Sequence, residues 1–466
     1  MDFRTLLVIV SLLVAAGVKA QPLELDGLLP EGSQYSVIVL PMHDKENKVV
    51  YSHNSDLLLP PASTQKIVTA LAAKLFLGED YHFTTTLERV GEDLVFRFSG
   101  DPMLKRKHLK KMLTQFVARD KKPIKNIWLD GSAFSGYERG QGWPWDGTGA
   151  CYSAPSAAIT LDKNCVHAQI FSKAKPGNLT KVKWAKKHPV KVTTVAKIVT
   201  REQWKELHCD LGLISSRQNE YQLNGCMVQN KTPLGLKLAV QNPALFTKDI
   251  LQKLTKELGI KYNGGIKITR KPRSEGLVIA QHKSASLPIL VDVMMKQSDN
   301  LIADALFKTM AREKFGKPGT YIGAEKAVKA ILEESAGIDI NSAILADGSG
   351  LSRNNRMTVN HLALLIRYIY ENDAELGLMS TFPVSGKSGT LKWRSSVSNK
   401  LLKGRLQAKT GSVFGTKNLA GVLQTAKGNE LVVAQIVTNY FRGGRGKKSA
   451  LRKFERKLYS TLHKYY

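Results

Sequence analysis

Residues 59–78 read "LPPASTQKIVTALAAKLFLG". Pro60 and Pro61 end whatever element precedes them, because proline lacks an N–H and fixes φ. From Ile67 onward the run Ile67, Val68, Ala70, Leu71, Ala73 and Leu75 has the spacing of a helix with an apolar face. At the mouth of that helix stand a hydroxyl and an amine, Ser63 and Lys66, at i and i+3 and so on one face, where the amine can reach the hydroxyl oxygen. A serine hydroxyl attacks poorly until something takes its proton. A desolvated lysine near another cation can hold a pKa low enough to do so. The free backbone N–H groups of a helix start also suit an oxyanion or a carboxylate. The stretch therefore predicts a buried helix over 63–77 that carries a nucleophile and its base.

The pattern S-x-x-K is weak alone, and "SKAK" at Ser172–Lys175 repeats it in a loop-like context beside a proline and a glycine. Ser63 is singled out by its company. Ser298-Asp299-Asn300 lies inside an amphipathic pattern, "SASLPILVDVMMKQSDNLIADALFKTMAREK" over 284–314, expected as one long helix. Lys409-Thr410-Gly411 heads an alternating strand that can form a sheet edge facing that helix. S-x-N recurs at Ser52-His53-Asn54 and Ser352-Arg353-Asn354, and Lys387-Ser388-Gly389 repeats K-[ST]-G in a turn-like context. Helix, helix and strand contexts select Ser63, Ser298 and Lys409 over these copies.

The chain has 466 residues, 43% hydrophobic and 23% charged, enough to bury a large core in two or three domains. "LLVIVSLLVAAGV" over 6–18 is too short to span a bilayer, and Val18 and Ala20 are small residues where a signal peptidase cuts. Cleavage after Ala20 and export to the periplasm are expected. Cys151, Cys165, Cys209 and Cys226 form an even set suited to an oxidising compartment. Of three connectivities, the near-neighbour pairs Cys151–Cys165 and Cys209–Cys226 are favoured. No C-x-x-C or close histidine pair points to zinc, and no metal or cofactor is expected. The net charge of +30 includes clusters such as "LKRKHLKKML" at 104–113. For an exported protein it suits an anionic wall polymer or peripheral contact with an anionic lipid surface, and nucleic acid is disfavoured. Any single cluster reads first as a solvated helix face.

Strand and turn signals dominate from about 84 to 275, with turns at "WPWDG" (143–147) and "KPG" (175–177). Helical patterns return at 321–335 and 358–372. Three strands with turns at Phe414-Gly415 and Lys427-Gly428 follow, and a last helix over 449–465 carries Leu451, Phe454, Leu458 and Leu462 on one core-facing stripe.

"LPPASTQKIVTALAA", "FTTTLE", "FSGDPMLKR", "GWPWD", "CYSAPSAAITLDKNC", "KQSDNLIAD", "ADGSGLSRNN" and "AKTGS" together resemble the low-molecular-mass class C penicillin-binding proteins, the S13 D-alanyl-D-alanine carboxypeptidases/endopeptidases, over nearly the entire mature chain. The resemblance implies an α/β (α+β) fold: a β-lactamase-like catalytic domain, with an antiparallel sheet and helices on both faces, interrupted by two nested strand-rich insertions. It places the catalytic domain at 21–83 plus 276–466, a second domain at 84–150 plus 232–275, and a third, cysteine-bearing one at 151–231. It also implies a serine-type DD-peptidase of peptidoglycan stem peptides, with β-lactams as covalent inhibitors. Ser63 would attack the penultimate D-alanine carbonyl and Lys66 would take the proton. Ser298 would relay that proton to the leaving amine, and Asn300 would hold Lys66 and the substrate amide. Lys409 and Thr410 would bind the terminal carboxylate beside Gly411, and the N–H groups of Ser63 and Ser412 would form the oxyanion hole. Asp146 would receive a diaminopimelate ammonium, or else it merely caps a turn. A β-lactamase-like hydrolase and a non-catalytic wall-binding protein are the competing readings. Oligomeric state and the carboxypeptidase-to-endopeptidase balance stay open.

Overall fold

The computed structural model describes residues 23–43, 48–120, 122–441 and 449–466. The export segment expected over 1–20 lies outside the described residues.

An antiparallel five-stranded sheet organises one half of the molecule, with spatial order Leu406–Val413, Thr416–Gln424, Glu430–Thr438, Gln34–Pro41 and Tyr51–His53. Its central strand, "ELVVAQIVT", is apolar almost throughout because both of its faces are covered. Alternation sorts the side chains. Val432, Ala434 and Ile436 join a core shared with the helices Lys66–Leu77, Leu287–Gln297, Asn300–Phe315, Tyr321–Ala336 and Val359–Glu371. Leu431, Val433 and Val437 face the opposite core, closed by Phe454, Leu458 and Leu462 of the helix Ala450–Tyr465. The expected stripe of that last helix is thus core-facing. Each fully buried Leu or Phe of this kind contributes about 1.5–3 kcal/mol.

The 84–275 stretch holds more helix than its turn-rich sequence suggests. Its main sheet runs Ile266–Thr269, Ile127–Asp130, Asp93–Arg97, Thr84–Val90 and Leu277–Lys283, with parallel pairs at the Ile127–Asp130 strand and antiparallel ones elsewhere. Two helices, Arg106–Arg119 at the basic cluster read as a solvated helix face and Pro243–Glu257 where none was expected, pack on it through Leu109, Met112, Leu113, Phe116, Phe246, Ile250 and Leu254. The basic 104–113 cluster forms the start of the first of these and turns Lys107, Lys110 and Lys111 to solvent. Pro243 sits at a position where a helix needs no N–H, and the Asn242 side chain caps Leu245 N at 3.0 Å. Two smaller sheets fill the cysteine-bearing region, Asn230–Ala239/Cys165–Ser172/Lys181–Trp184 and Leu211–Ser215/Glu220–Val228/Lys191–Thr194 with Lys197–Val199 beside it. Disulfides join Cys151 to Cys165 and Cys209 to Cys226, the favoured pairing.

Two local expectations are corrected. The single helix over 284–314 is two helices, Leu287–Gln297 and Asn300–Phe315, broken at Ser298, which has φ 58° and ψ 41°. The Asp299 carboxylate restarts the helix by accepting from Ile302 N at 3.1 Å. Ser172, expected in a loop, ends the strand Cys165–Ser172.

Candidate active site

Ser63 lies in a short 3-10 turn, Ala62–Gln65, that leads directly into the Lys66–Leu77 helix. Its backbone is pinned from both sides. Asn418 Nδ2 donates to the carbonyls of Pro60 and Pro61 at 2.9 and 2.7 Å. Gly411 lets the edge strand approach, since a Cβ there would stand 2.7 Å from Pro61 O. A Cβ on Gly350, at φ 78°, would collide with Ala62 O at 1.8 Å. Ala62 itself holds φ 47°, a left-handed conformation costly for a residue with a Cβ. The cost is borne next to Ser63.

Lys66 is fully buried, whereas Ser63 is half-buried. Lys66 Nζ lies 3.0 Å from Ser63 Oγ, 2.7 Å from Asn300 Oδ1 and 2.5 Å from the Ser349 carbonyl. The last two partners are acceptors only. A neutral amine therefore spends its two hydrogens on them and turns its lone pair to the Ser63 hydroxyl, the arrangement a base needs. Burial lowers the Lys66 pKa to about 8, against the opposing pull of Asp304, Asp347 and Asp299.

Asn300 opens the second helix and is fixed at both ends of its amide, because Nδ2 donates to Tyr152 O at 2.7 Å. Ser298, at the helix break, accepts from Lys409 Nζ at 2.9 Å, and that amine also donates to Thr410 O at 2.9 Å. A residue inside a continuous helix would have its side chain set by the helix surface. The break instead turns the Ser298 hydroxyl to the sheet edge. Lys409 is fully buried, and burial, then the neighbouring Lys66, holds its pKa well below the usual lysine range. Thr410 Oγ1 donates to Thr390 Oγ1 at 2.8 Å, and Ser412 is exposed on the same strand. Seven of the singled-out residues, Ser63, Lys66, Ser298, Asn300, Lys409, Thr410 and Gly411, thus converge where the two helix starts meet the sheet edge.

Asp146 is exposed in the 3-10 turn Trp145–Gly147, where a plain turn was expected. Its segment reaches the centre through its neighbours, with Trp143 Nε1 donating to Asp347 Oδ2 at 2.7 Å and Tyr152 O accepting from Asn300.

Several supporting groups escaped the sequence reading. Asp304 is buried one helical turn beyond Asn300, and its Oδ1 accepts from Gly348 N and Ser349 N at 2.9 and 3.1 Å, which aims the Ser349 carbonyl at Lys66. Burial and Asp347 hold the Asp304 pKa well above the carboxylate range. Asp347 in turn accepts from Gly350 N at 2.7 Å, Ser352 N at 2.7 Å and Asn355 Nδ2 at 2.9 Å.

Residues 24–458 match the model of the D-Ala-D-Ala carboxypeptidase 3 (S13) family. The chain belongs to that family. It is 35% identical over 449 residues to the D-alanyl-D-alanine carboxypeptidase DacB of Haemophilus influenzae, covering 94% of this chain and 92% of that one. It is 26% identical to an Actinomadura D-alanyl-D-alanine carboxypeptidase, covering 89% and 79%. The crystal structure of Haemophilus influenzae penicillin binding protein 4 superposes with a TM-score of 0.88 at 36% identity, over 95% of this chain and 99% of that one. The same protein complexed with a β-lactam superposes at 0.83, with 34% identity and the same coverage. A predatory peptidoglycan endopeptidase from Bdellovibrio bacteriovorus shares the fold, at 18% identity and a TM-score of 0.51 over 92% of each chain. The S13 chain is accordingly a serine-type D-Ala-D-Ala peptidase built on the penicillin-binding-protein fold.

Proposed function

We propose that Ser63, Lys66, Ser298, Asn300, Lys409 and Thr410 carry out DD-peptidase chemistry on peptidoglycan stem peptides in the periplasm. The observation that carries the assignment is the buried Lys66 amine, with two acceptors and one hydroxyl around it. Lys66 takes the Ser63 proton as Oγ attacks the carbonyl of the penultimate D-alanine. Negative charge develops on the carbonyl oxygen, which the N–H groups of Ser63 and Ser412 receive. Ser298 passes the proton to the leaving amine, and water then releases the acyl group from Ser63. Lys409 and Thr410 hold the terminal carboxylate. An arriving carboxylate favours the charged form of Lys409, so substrate binding itself supplies that amine with a counter-charge.

Removal of terminal D-alanine and cleavage of D-alanyl-diaminopimelate cross-links both use this centre, with Asp146 as the contact for the diaminopimelate ammonium. The chain divides in this reading into a catalytic domain (21–83 and 276–466), an inserted domain (84–150 and 232–275) and a nested domain (151–231); the first has cores of its own, whereas Ile159, Leu161 and Val166 join the core of the second and Leu238 joins that of the third. Two disulfides support export, with residues 1–20 removed. The net charge of +30 supports association with the anionic wall or membrane surface.

Incubation with a penicillin, intact mass and peptide mapping test the assignment. An adduct on Ser63 that is lost in Ser63→Ala and kept in Ser172→Ala is expected. No adduct, with the antibiotic intact, supports the wall-binding reading, and rapid consumption of the antibiotic without an adduct supports a β-lactamase.

A further inference from the structure

Three residues at four-residue spacing, Asn300, Asp304 and Lys308, line one face of the Asn300–Phe315 helix. The first two serve Lys66, directly and through Ser349. Lys308 has no place in the chemistry, yet it is 1% exposed. A buried ammonium is expensive unless it is fully hydrogen-bonded, so its partners show what it is for.

Lys308 Nζ donates to the carbonyls of Tyr137 and Ser156, at 2.8 and 2.9 Å, and lies 4.6 Å from the Tyr321 ring centroid and 5.4 Å from that of Phe134. Among the described residues it makes no ion pair. Its two carbonyls are the two ends of one loop, closed across the neck by Ser156 N donating to Glu138 O at 2.7 Å. Inside that loop Arg139 donates to Ser153 O and Thr148 O at 3.2 and 3.3 Å, and Cys151 is anchored to Cys165. A loop braced in this way moves as a body, and its position depends on its points of attachment. Lys308 holds the neck. The far end is held beside Lys66, where Trp143 binds Asp347, Tyr152 O accepts from Asn300, and Arg353 N donates to Gly142 O at 3.1 Å. Neck and far end are fastened to the same helix, two turns or about 12 Å apart.

We propose that Lys308 is a positioning residue that sets specificity: it fastens the neck of the 137–156 loop to the catalytic helix and so fixes the wall against which an extended stem peptide lies. The inference rests on the functional reading above, in which the loop carrying Asp146 borders the substrate cleft. The reacting groups Ser63, Lys66 and Lys409 sit on the helices and sheet and do not depend on the loop for their backbone. A compact penicillin meets those groups alone, whereas a diaminopimelate-containing peptide extends beyond them to the loop.

Steady-state kinetics on a diaminopimelate-containing pentapeptide, measured beside penicillin acylation, separate the roles. In Lys308→Met, KM for the peptide is expected to rise about tenfold, with kcat and the penicillin acylation rate within about twofold of the parent. Lys308→Arg, which keeps the donors, restores part of the loss. Equal falls in peptide turnover and penicillin acylation, or an unchanged KM, overturn the proposal. Should Lys308→Met fail to fold, Arg139→Leu removes the brace inside the loop instead: a KM rise confined to the peptide supports the proposal and a parallel loss of acylation overturns it. A parent that takes no penicillin at Ser63 overturns the functional reading and this inference together. A parent that is acylated while its variants show no KM change overturns the inference alone.

Discussion

The molecule contains the pattern S-x-x-K twice, and the two copies are built inside out relative to each other. At Ser63/Lys66 the lysine is fully buried and the serine half-exposed at the head of a helix. At Ser172/Lys175 the serine is buried, its hydroxyl donating to Val228 O at 3.0 Å, and the lysine is exposed. Spacing is the same in both. Burial of the amine makes a base, and burial of the hydroxyl makes a structural hydrogen bond. A nucleophile needs the first arrangement and is disabled by the second.

The comparison breaks most sharply at the serines. Ser63→Ala is expected to lower peptide turnover by at least about 10⁴-fold and to abolish the penicillin adduct, while Ser172→Ala leaves both intact, read by intact mass and product release. Next comes the amine. Lys66→Arg keeps a cation that cannot give up its proton, and a loss of about 10²–10⁴-fold in the acylation rate is expected, whereas Lys175→Arg changes nothing measurable. A pH profile sharpens the same contrast. With Lys66 as the proposed base the active form is the neutral amine, so acylation is expected to rise about tenfold per unit up to pH 8 and to level above it, following the lowered pKa of about 8. A rate independent of pH between 6 and 9 removes Lys66 as the base. The smallest effect concerns the surface: binding to purified sacculi is expected to weaken with added salt, because exposed charges are screened within about 10 Å at 0.1 M. Salt-independent binding removes charge as the cause.

The three motifs that the structure brings together were legible because each is short-range: a hydroxyl, an amine or an amide at fixed spacing on a periodic element. The antiparallel strands after Leu406 were legible for the same reason, since glycine turns punctuate a period-two pattern. The break at Ser298 was not. Apolar periodicity runs on through both helices, and only the left-handed backbone of Ser298 separates them. The Pro243–Glu257 helix carried a readable start in Asn242-Pro243, hidden among strand signals on either side. Asp304, Asp347 and Lys308 were out of reach for a different reason. Whether a charged side chain is buried depends on segments distant in the chain, here 137–156 and 347–355, and no local pattern announces that.

The pairing of Gln34–Pro41 with Glu430–Thr438 carries a consequence in time rather than in space. Ser63 leaves the ribosome early, but the edge strand that brings Lys409 to Ser298, and the central strand on which that edge rests, come near the chain's end. Until both arrive the sheet lacks its middle, the Pro60–Pro61 carbonyls lack Asn418, and the serine has no assembled pocket. The topology therefore works as a completion check: a partial product of synthesis has the proposed nucleophile, Ser63, without the means to use it.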